Sequence, residues 1–398
     1  MIAKGFVVVT HKFTAATQDD LVRYLARRFE RVLYVWHDFS DSPNRRSFCE
    51  EYRNGSLVKS WSSGDYRNVP EPIVLLKDCA FTIHSILQTR ERWDILIGLS
   101  GFDTLPGIIL KKLGRADRTV FWAGDFVPYS RFSATWKNVI YFQVNRLVLK
   151  WCDYAWNISP RVEKVREMMY RVKSKRPQRV VPIGVWMNRR VKLPLEKIRR
   201  HRVLFLGHLL EKQGVQLVLK AIPEIRKAIS DFEFLIIGKG SYEAELRGMI
   251  RELGIEDYVM FAGYIKSDEE MEQLSSRCAC AVAPYHMKTD TYTRYADPGK
   301  IKNYLASGLP VIMTDVPYNA YEIQRRRCGV VINYDAHELA KAVVAMLTNE
   351  SLLEEYRRNA FEYSKQFDWN NIFDVAINEM LTPDSDSARS TVRAVQGS

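Results

Sequence analysis

Three segments in the second half of this 398-residue chain place glycine, lysine and amide side chains at spacings suited to a phosphorylated ligand. The first, Gly207-His208-Leu209-Leu210-Glu211-Lys212-Gln213-Gly214, follows an apolar run and precedes a helical pattern. Small residues let the backbone approach a ligand, a helix N-terminus offers unpaired N–H groups, and Lys212 adds a point charge. Taken alone, the same residues make an ordinary strand-to-helix turn with a solvated lysine. The second segment, Gly238-Lys239-Gly240-Ser241, puts two glycines ahead of another helix, as a plain tight turn would also do. In the third, Asp297-Pro298-Gly299-Lys300-Ile301-Lys302-Asn303, Pro298 and Gly299 open a helix with Lys300 in its first turn and Asn303 on the same face. Such an end can hold a diphosphate against the helix dipole and Lys300, leaving the Asn303 amide for a sugar hydroxyl.

These segments need elements that bring them to one edge. Short apolar runs alternate with helical patterns, which predicts parallel sheets with crossover helices. Strands are expected at 5–10, 32–36, 94–98, 119–123, 154–158 and 179–181, then at 202–206, 232–237, 258–261, 279–283, 310–313 and 329–332. Helices such as 17–29 and 104–113 lie between them. The fold class is therefore α/β, with two doubly wound Rossmann-like domains, and the first two segments fall beyond strand carboxyl ends, where such sheets bind ligands. Patterning lapses and charge accumulates before residue 200. The expected division is 1–184, a linker at 185–200, and a second domain from 201. Residues 382–398 lack periodicity and read as a disordered tail.

Composition removes several classes. With 46% hydrophobic and 12% aromatic residues, the chain is not mainly disordered, and no apolar stretch approaches the roughly 20 residues of a spanning helix. The N-terminal apolar run is too short for a signal peptide, so a cytoplasmic location is expected. Six cysteines do not make a disulfide framework, and Cys278-Ala279-Cys280 lacks the further ligands of a zinc site, so reduced thiols and no metal are expected. The net charge of +12 divides into +17 over residues 1–200 and −5 over the rest. Such an excess on one half faces nucleic acid, anionic lipid or an acidic substrate.

The order Val-Leu-Phe-Leu-Gly-x-x-x-Glu-Lys-x-Gly, Ile-Ile-Gly-x-Gly, then Asp-Pro-x-Lys-x-x-Asn-Tyr-Leu-Ala-x-Gly-x-Pro-Val resembles the donor domain of GT-B glycosyltransferases of the family 4 type, the glycosyl transferases group 1. The resemblance covers about residues 200–380. It implies two domains facing across a cleft, with transfer of a sugar from a UDP- or GDP-linked donor to a glycan or lipid-diphosphate acceptor. It implies no metal or cofactor, and a place in surface polysaccharide or glycolipid synthesis. Residue by residue it brings Gly207, His208, Lys212, Gly238, Gly240, Asp297, Lys300 and Asn303 to the donor. Phe367-Asp368-Trp369 resembles the point where a last helix, 367–381, crosses back to the first domain. His208 stands where the family has an arginine, Asn303 where it has the ribose-binding glutamate, and Tyr295 where a first glutamate is usual. Some inverting glucuronosyltransferases of xanthan type also carry an uncharged residue, Gln, at the ribose position, so stereochemistry stays open.

An inverting transfer needs a base for the acceptor hydroxyl. Asp125, after the strand at 119–123, is the first candidate, with a turn-forming role as its equal alternative. Asp103 is held in reserve and reads first as a helix N-cap; His11 and His84 follow. A retaining transfer needs no dedicated base, and Asp125 would then orient the acceptor. The pattern at 136–151 reads first as a core helix and second as a membrane-surface helix. Between 161 and 200 stand 14 Lys and Arg against 3 Asp and Glu. Clustered bases of this kind attract anionic lipid, which predicts peripheral attachment of the first half to the inner face of a membrane. Two other readings remain: a glycosyltransferase-like binding protein without turnover, and a basic nucleic-acid-binding protein, for which no recognition module is found.

Overall fold

Apolar runs too short for helices become the strands of two sheets. The computed structural model describes residues 4–12, 17–39, 42–124, 126–127, 131–286 and 292–381. The first sheet holds β1 (Gly5–His11), β2 (Arg31–His37), β3 (Ser47–Arg53), β4 (Ser56–Ser62), β5 (Trp93–Gly98), β6 (Ala116–Ala123), β7 (Tyr154–Asn157) and β8 (Arg179–Val180), in the order β4-β3-β2-β1-β5-β6-β7-β8. The second holds β9 (Arg202–Leu206), β10 (Glu233–Ile237), β11 (Val259–Gly263), β12 (Cys280–Ala283), β13 (Val311–Thr314) and β14 (Gly329–Ile332), in the order β11-β10-β9-β12-β13-β14. Every pairing in the second sheet is parallel. Strands buried on both faces, such as Val203-Leu204-Phe205, read as continuous apolar runs because helices cover both sides.

The hairpin β3–β4 is absent from the strands expected from sequence. Its strands carry Glu50, Glu51, Lys59 and several serines, and β4 is almost wholly exposed, so neither run stands out as apolar. The signal lay in the turn. Asn54 and Gly55 both have positive φ, 48° and 83°, as the Asn-Gly turn of a tight hairpin requires.

The chain passes between the sheets twice, side by side. Val185 N–H donates to Phe367 O at 2.9 Å, and Trp369 N–H donates to Val185 O at 3.0 Å. From there the helix Trp369–Leu381 lies on the helix Thr17–Arg28. Tyr24 Oη donates to Asp374 at 2.5 Å, and Phe373 packs on Trp369, Tyr24 and Trp122.

Two expectations about the surface change. The helix Thr135–Trp151 buries Asn145, Val148 and Leu149, whereas Trp136, Val139, Ile140, Leu147 and Trp151 are exposed. Much of its apolar pattern therefore lines the outer face, and the core-helix reading holds only for the side carrying Val148 and Leu149. Five of the 14 bases at 161–200 pair with glutamates: Arg190 with Glu272, Lys192 with Glu354, Arg199 with Glu233, Arg200 with Glu350, and Arg179 with Glu379. All five glutamates come from the acidic second half. Apart from the mostly buried Arg190–Glu272 pair, these are solvent-accessible pairs that contribute only about 0–1 kcal/mol each. Their consequence is that part of this charge is answered within the molecule. Among the described residues, no helix is long and apolar enough to cross a membrane.

Candidate active site

The two glycine loops lie on each other at the carboxyl ends of β9 and β10. Gly207 N–H donates to Ile237 O at 2.9 Å, Leu209 N–H to Lys239 O at 3.0 Å, and Gly238 N–H to Gly263 O at 2.8 Å. Gly238 has φ of +140°, and a Cβ there would fall inside the Gly207 carbonyl oxygen. A side chain at Gly240 would likewise overlap Leu209 O. Glycine is needed here for close backbone approach, not only for a turn.

Lys300 reaches this nest from the helix Gly299–Ala306. A Cβ built on Gly207 would stand 3.6 Å from Lys300 Nζ. The ammonium donates to Gln213 Oε1 at 2.6 Å and sits 4.4 and 4.5 Å from the ring centroids of Phe205 and Tyr285. Among the described residues no carboxylate is paired with it, and burial lowers its pKa to about 7. Gln213, Phe205 and Tyr285 were not picked out from sequence; an amide and two ring faces carry no catalytic signature until the fold places them under a lysine. Lys212 is half-buried, its carbonyl accepts from His286 N–H at 3.0 Å, and its Nζ lies 5.4 Å from the Tyr292 ring. His208 is exposed on the same loop.

Asn303 and Asp297 are engaged differently from the expectation of donor contact. The Asn303 amide oxygen accepts from Arg190 Nη2 at 2.7 Å, and Arg190 in turn pairs with Glu272, which also accepts from Ser307 Oγ. Asp297 faces inward. One carboxylate oxygen accepts from Ile183 N–H at 2.8 Å and the other pairs with Lys302, which is fully buried. Its oxygens are thus taken up in fixing the helix that carries Lys300.

Asp125 lies outside the described residues. The next residue, Phe126, packs edge-on against Tyr295 at 5.6 Å. Ser159 Oγ donates to Tyr295 O at 2.6 Å, and Arg161 donates to Arg294 O and Val316 O at 3.0 and 2.6 Å. Tyr295, standing where a glutamate is usual in the resembling family, serves as a packing contact between the two halves.

Asp103 is not the N-cap expected. Ser100 caps the helix Gly101–Lys112, accepting from Asp103 N–H at 3.2 Å, and this frees the Asp103 carboxylate. His11, at the carboxyl end of β1, puts Nδ1 2.7 Å from Asp103 and Nε2 3.3 Å from Asp78. Asp78 is shared with Lys77, Ser47 and His37. Burial acts to lower the His11 pKa, but the two carboxylates outweigh it and raise it to about 10. With a carboxylate at each ring nitrogen, His11 is a charged strut in the neutral range and not a proton acceptor. The exposed His84 stands apart on the helix Glu71–Gln88. Among the described residues, no three His, Cys, Asp or Glu side chains are grouped to hold a metal ion.

Residues 200–349 match the family model described as glycosyl transferases group 1. Among curated proteins, the chain is 26% identical over 170 residues to a phosphatidyl-myo-inositol mannosyltransferase of Mycobacterium leprae, covering 42% of this chain and 43% of that protein. It is 26% identical over 228 residues to an alpha-monoglucosyldiacylglycerol synthase of Streptococcus pneumoniae, covering 51% and 49%. The chain thus matches under half the length of these relatives. Among solved structures, Anabaena HepE in complex with UDP superposes with a TM-score of 0.70 at 14% identity, over 95% of this chain and 99% of that one. WaaG, a glycosyltransferase involved in lipopolysaccharide biosynthesis, superposes with a TM-score of 0.65 at 15% identity, over 96% and 100%.

Proposed function

We propose that the protein transfers a sugar from a nucleotide-sugar donor to a lipid or glycan acceptor, since residues 200–349 match the glycosyl transferases group 1 model and the two sheets take a GT-B fold. The observation that carries this reading is the meeting of Lys300 with the two glycine loops beyond β9 and β10. Gly207, Gly238 and Gly240 give the diphosphate access to backbone, Lys300 and Lys212 meet its charge, and His208 borders it. Asn303 acts through Arg190, and Asp297 acts by holding the helix. Asp125 either takes the acceptor proton or orients the acceptor, with no metal or cofactor in that step. HepE is solved with UDP, and the mycobacterial and streptococcal relatives bear the names of lipid glycosylating enzymes, which supports a nucleotide-sugar donor and a lipid acceptor.

The test is thermal unfolding with UDP-glucose and GDP-mannose in separate arms. A ligand that binds only the folded state stabilises it by about 2.7 kcal/mol at a hundred times its Kd. A rise of a few degrees with one of the two is expected. No rise with either, at millimolar concentration, removes the reading.

Attachment to the inner face of a membrane belongs to the same proposal, with a changed location. The helix Thr135–Trp151 offers a stripe of Trp136, Val139, Ile140, Leu147 and Trp151 with Arg146 and Lys150 beside it, and Lys112 stands 5.0 Å from the Trp151 ring. Tryptophan and lysine around an apolar stripe suit the headgroup boundary of an anionic bilayer. The expected result is flotation with vesicles containing phosphatidylglycerol. Trp136→Ser with Ile140→Ser should lower the bound fraction at least fivefold, whereas Lys173→Gln with Lys164→Gln, in the basic run, should change it less than twofold.

A further inference from the structure

Beneath that stripe a cavity of about 260 Å³ opens between the helices Thr135–Trp151 and Pro160–Tyr170. Val127, Val139, Phe142, Met169 and Tyr170 supply most of its apolar lining, with the exposed Gln143 beside them. We propose that this cavity holds part of the hydrocarbon chain of a membrane lipid that presents the accepting hydroxyl. The inference rests on the transferase reading above and names its acceptor class as a lipid whose chain is gripped by the protein.

Two continuities select this occupant. On one side Val139 belongs both to the cavity wall and to the exposed stripe, so the cavity adjoins the surface proposed to meet the bilayer. On the other side Val127 follows Phe126, and Phe126 packs on Tyr295 at 5.6 Å and on Tyr170 at 6.5 Å. Tyr170 in turn packs on Phe142 at 5.0 Å. Tyr295 leads within a few residues to the helix of Lys300. A chain entering past Val139 therefore lies one ring layer from the segment that carries the donor lysine. The volume falls just below the usual range of small-molecule pockets, about 300–1,000 Å³, which suits a length of hydrocarbon and not a whole soluble substrate. Among the described residues the lining carries no charged group, its polar members being Thr135, Asn138, Tyr141 and Gln143, so an ionic headgroup does not belong there.

The experiment uses the full chain and vesicles of phosphatidylcholine and phosphatidylglycerol carrying a trace of phosphatidylglycerol with a diazirine in its acyl chain. After irradiation, labelled residues are mapped by mass spectrometry. Label on Phe142, Met169 or Val127 is expected. It should fall at least fivefold in Gln143→Trp, a substitution at an exposed position, and in Met169→Trp, with flotation unchanged in both. Label confined to the outward residues Trp136, Ile140 and Trp151 overturns the proposal, as does equal cavity labelling in both tryptophan variants. A concentration-dependent dimer that excludes the lipid also overturns it, because a second copy would then be the occupant. Nucleotide-sugar stabilisation is measured on the same samples. If stabilisation survives and cavity label is missing, the lipid site alone is lost; if cavity label is present without stabilisation, the lipid site stands and the transfer reading is lost.

Discussion

Lys300→Ala should weaken nucleotide-sugar binding by roughly 10- to 100-fold, the range of a hydrogen bond to a charged group at about 1.5–3 kcal/mol. The stronger form of this prediction is its pH dependence. Burial lowers the Lys300 ammonium from 10.5 to about 7, so near neutrality the free protein is divided between charged and uncharged lysine. A bound diphosphate favours the charged form and must take up a proton in the fraction that lacks one. Affinity is then highest below pH 7 and falls as pH rises, about tenfold between pH 6 and 8, while the bound-state pKa stays well above 8. A nucleotide-sugar is the right probe, because its diphosphate diester has no ionisation in this window. Lys300→Arg carries a guanidinium that stays charged, so its profile should be flat. Folding responds with the opposite sign. Between about pH 7 and 10.5 the unfolded chain binds a proton that the folded protein does not, so this group makes stability rise with pH. Urea titrations at pH 7 and 9, wild type against Lys300→Met, should show that slope lost in the variant. Isothermal titration at pH 6, 7 and 8 measures the binding limb, and a flat wild-type profile would sink the idea that Lys300 meets the diphosphate.

Most of the second sheet was legible because most of its strands are continuous apolar runs, and β9 and β10 run directly into glycine, a pattern that period and punctuation carry together. Gly207, Gly238 and Lys300 were visible for the same reason, since backbone approach and a charged first turn leave marks in residue type. Asp297 and Asn303 show what was not legible. Their residue types allow ligand contact, yet Lys302, Ile183 and Arg190 reach them first, and those partners come from residues 5 to 114 positions away. His11 and Asp103 failed in the other direction. Each looked ordinary in sequence because nothing local signals that Ser100 takes over the cap and that β1 ends against that helix. The charge asymmetry was real as arithmetic, but its meaning depended on pairing across the sequence midpoint. The basic run looked like a surface for an external anion, and the acidic half turned out to supply Glu233, Glu272, Glu350, Glu354 and Glu379 to it.

Breaking the Asp297–Lys302 pair should be among the most destabilising single changes in the molecule. Lys302 is fully buried and Asp297 is 4% exposed, so removing either partner leaves a charge with no water to receive it. Lys302→Met or Asp297→Ala should lower unfolding free energy by about 3–5 kcal/mol, read from urea midpoints at constant slope. The two effects should not add. Burial raises the Asp297 carboxyl pKa against the pull of Lys302, so with the lysine gone the site favours a neutral residue. Asp297→Asn combined with Lys302→Met keeps an oxygen for Ile183 N–H and removes both charges. That double variant should recover most of the loss, because a well-packed neutral pair replaces a buried ion pair at little net cost. Lys302 Nζ also lies 4.9 Å from the Phe367 ring, and Ile183 and Phe367 belong to the two segments that pass side by side between the sheets. The pair therefore ties the Lys300 helix to that crossing. Single variants that still fold should lose donor affinity although no donor contact has been removed, and the double variant should regain it in step with stability. Simple additivity of the two singles, or full stability without recovered affinity, would separate the pair from the positioning of Lys300 and leave it as a packing feature of the second half alone.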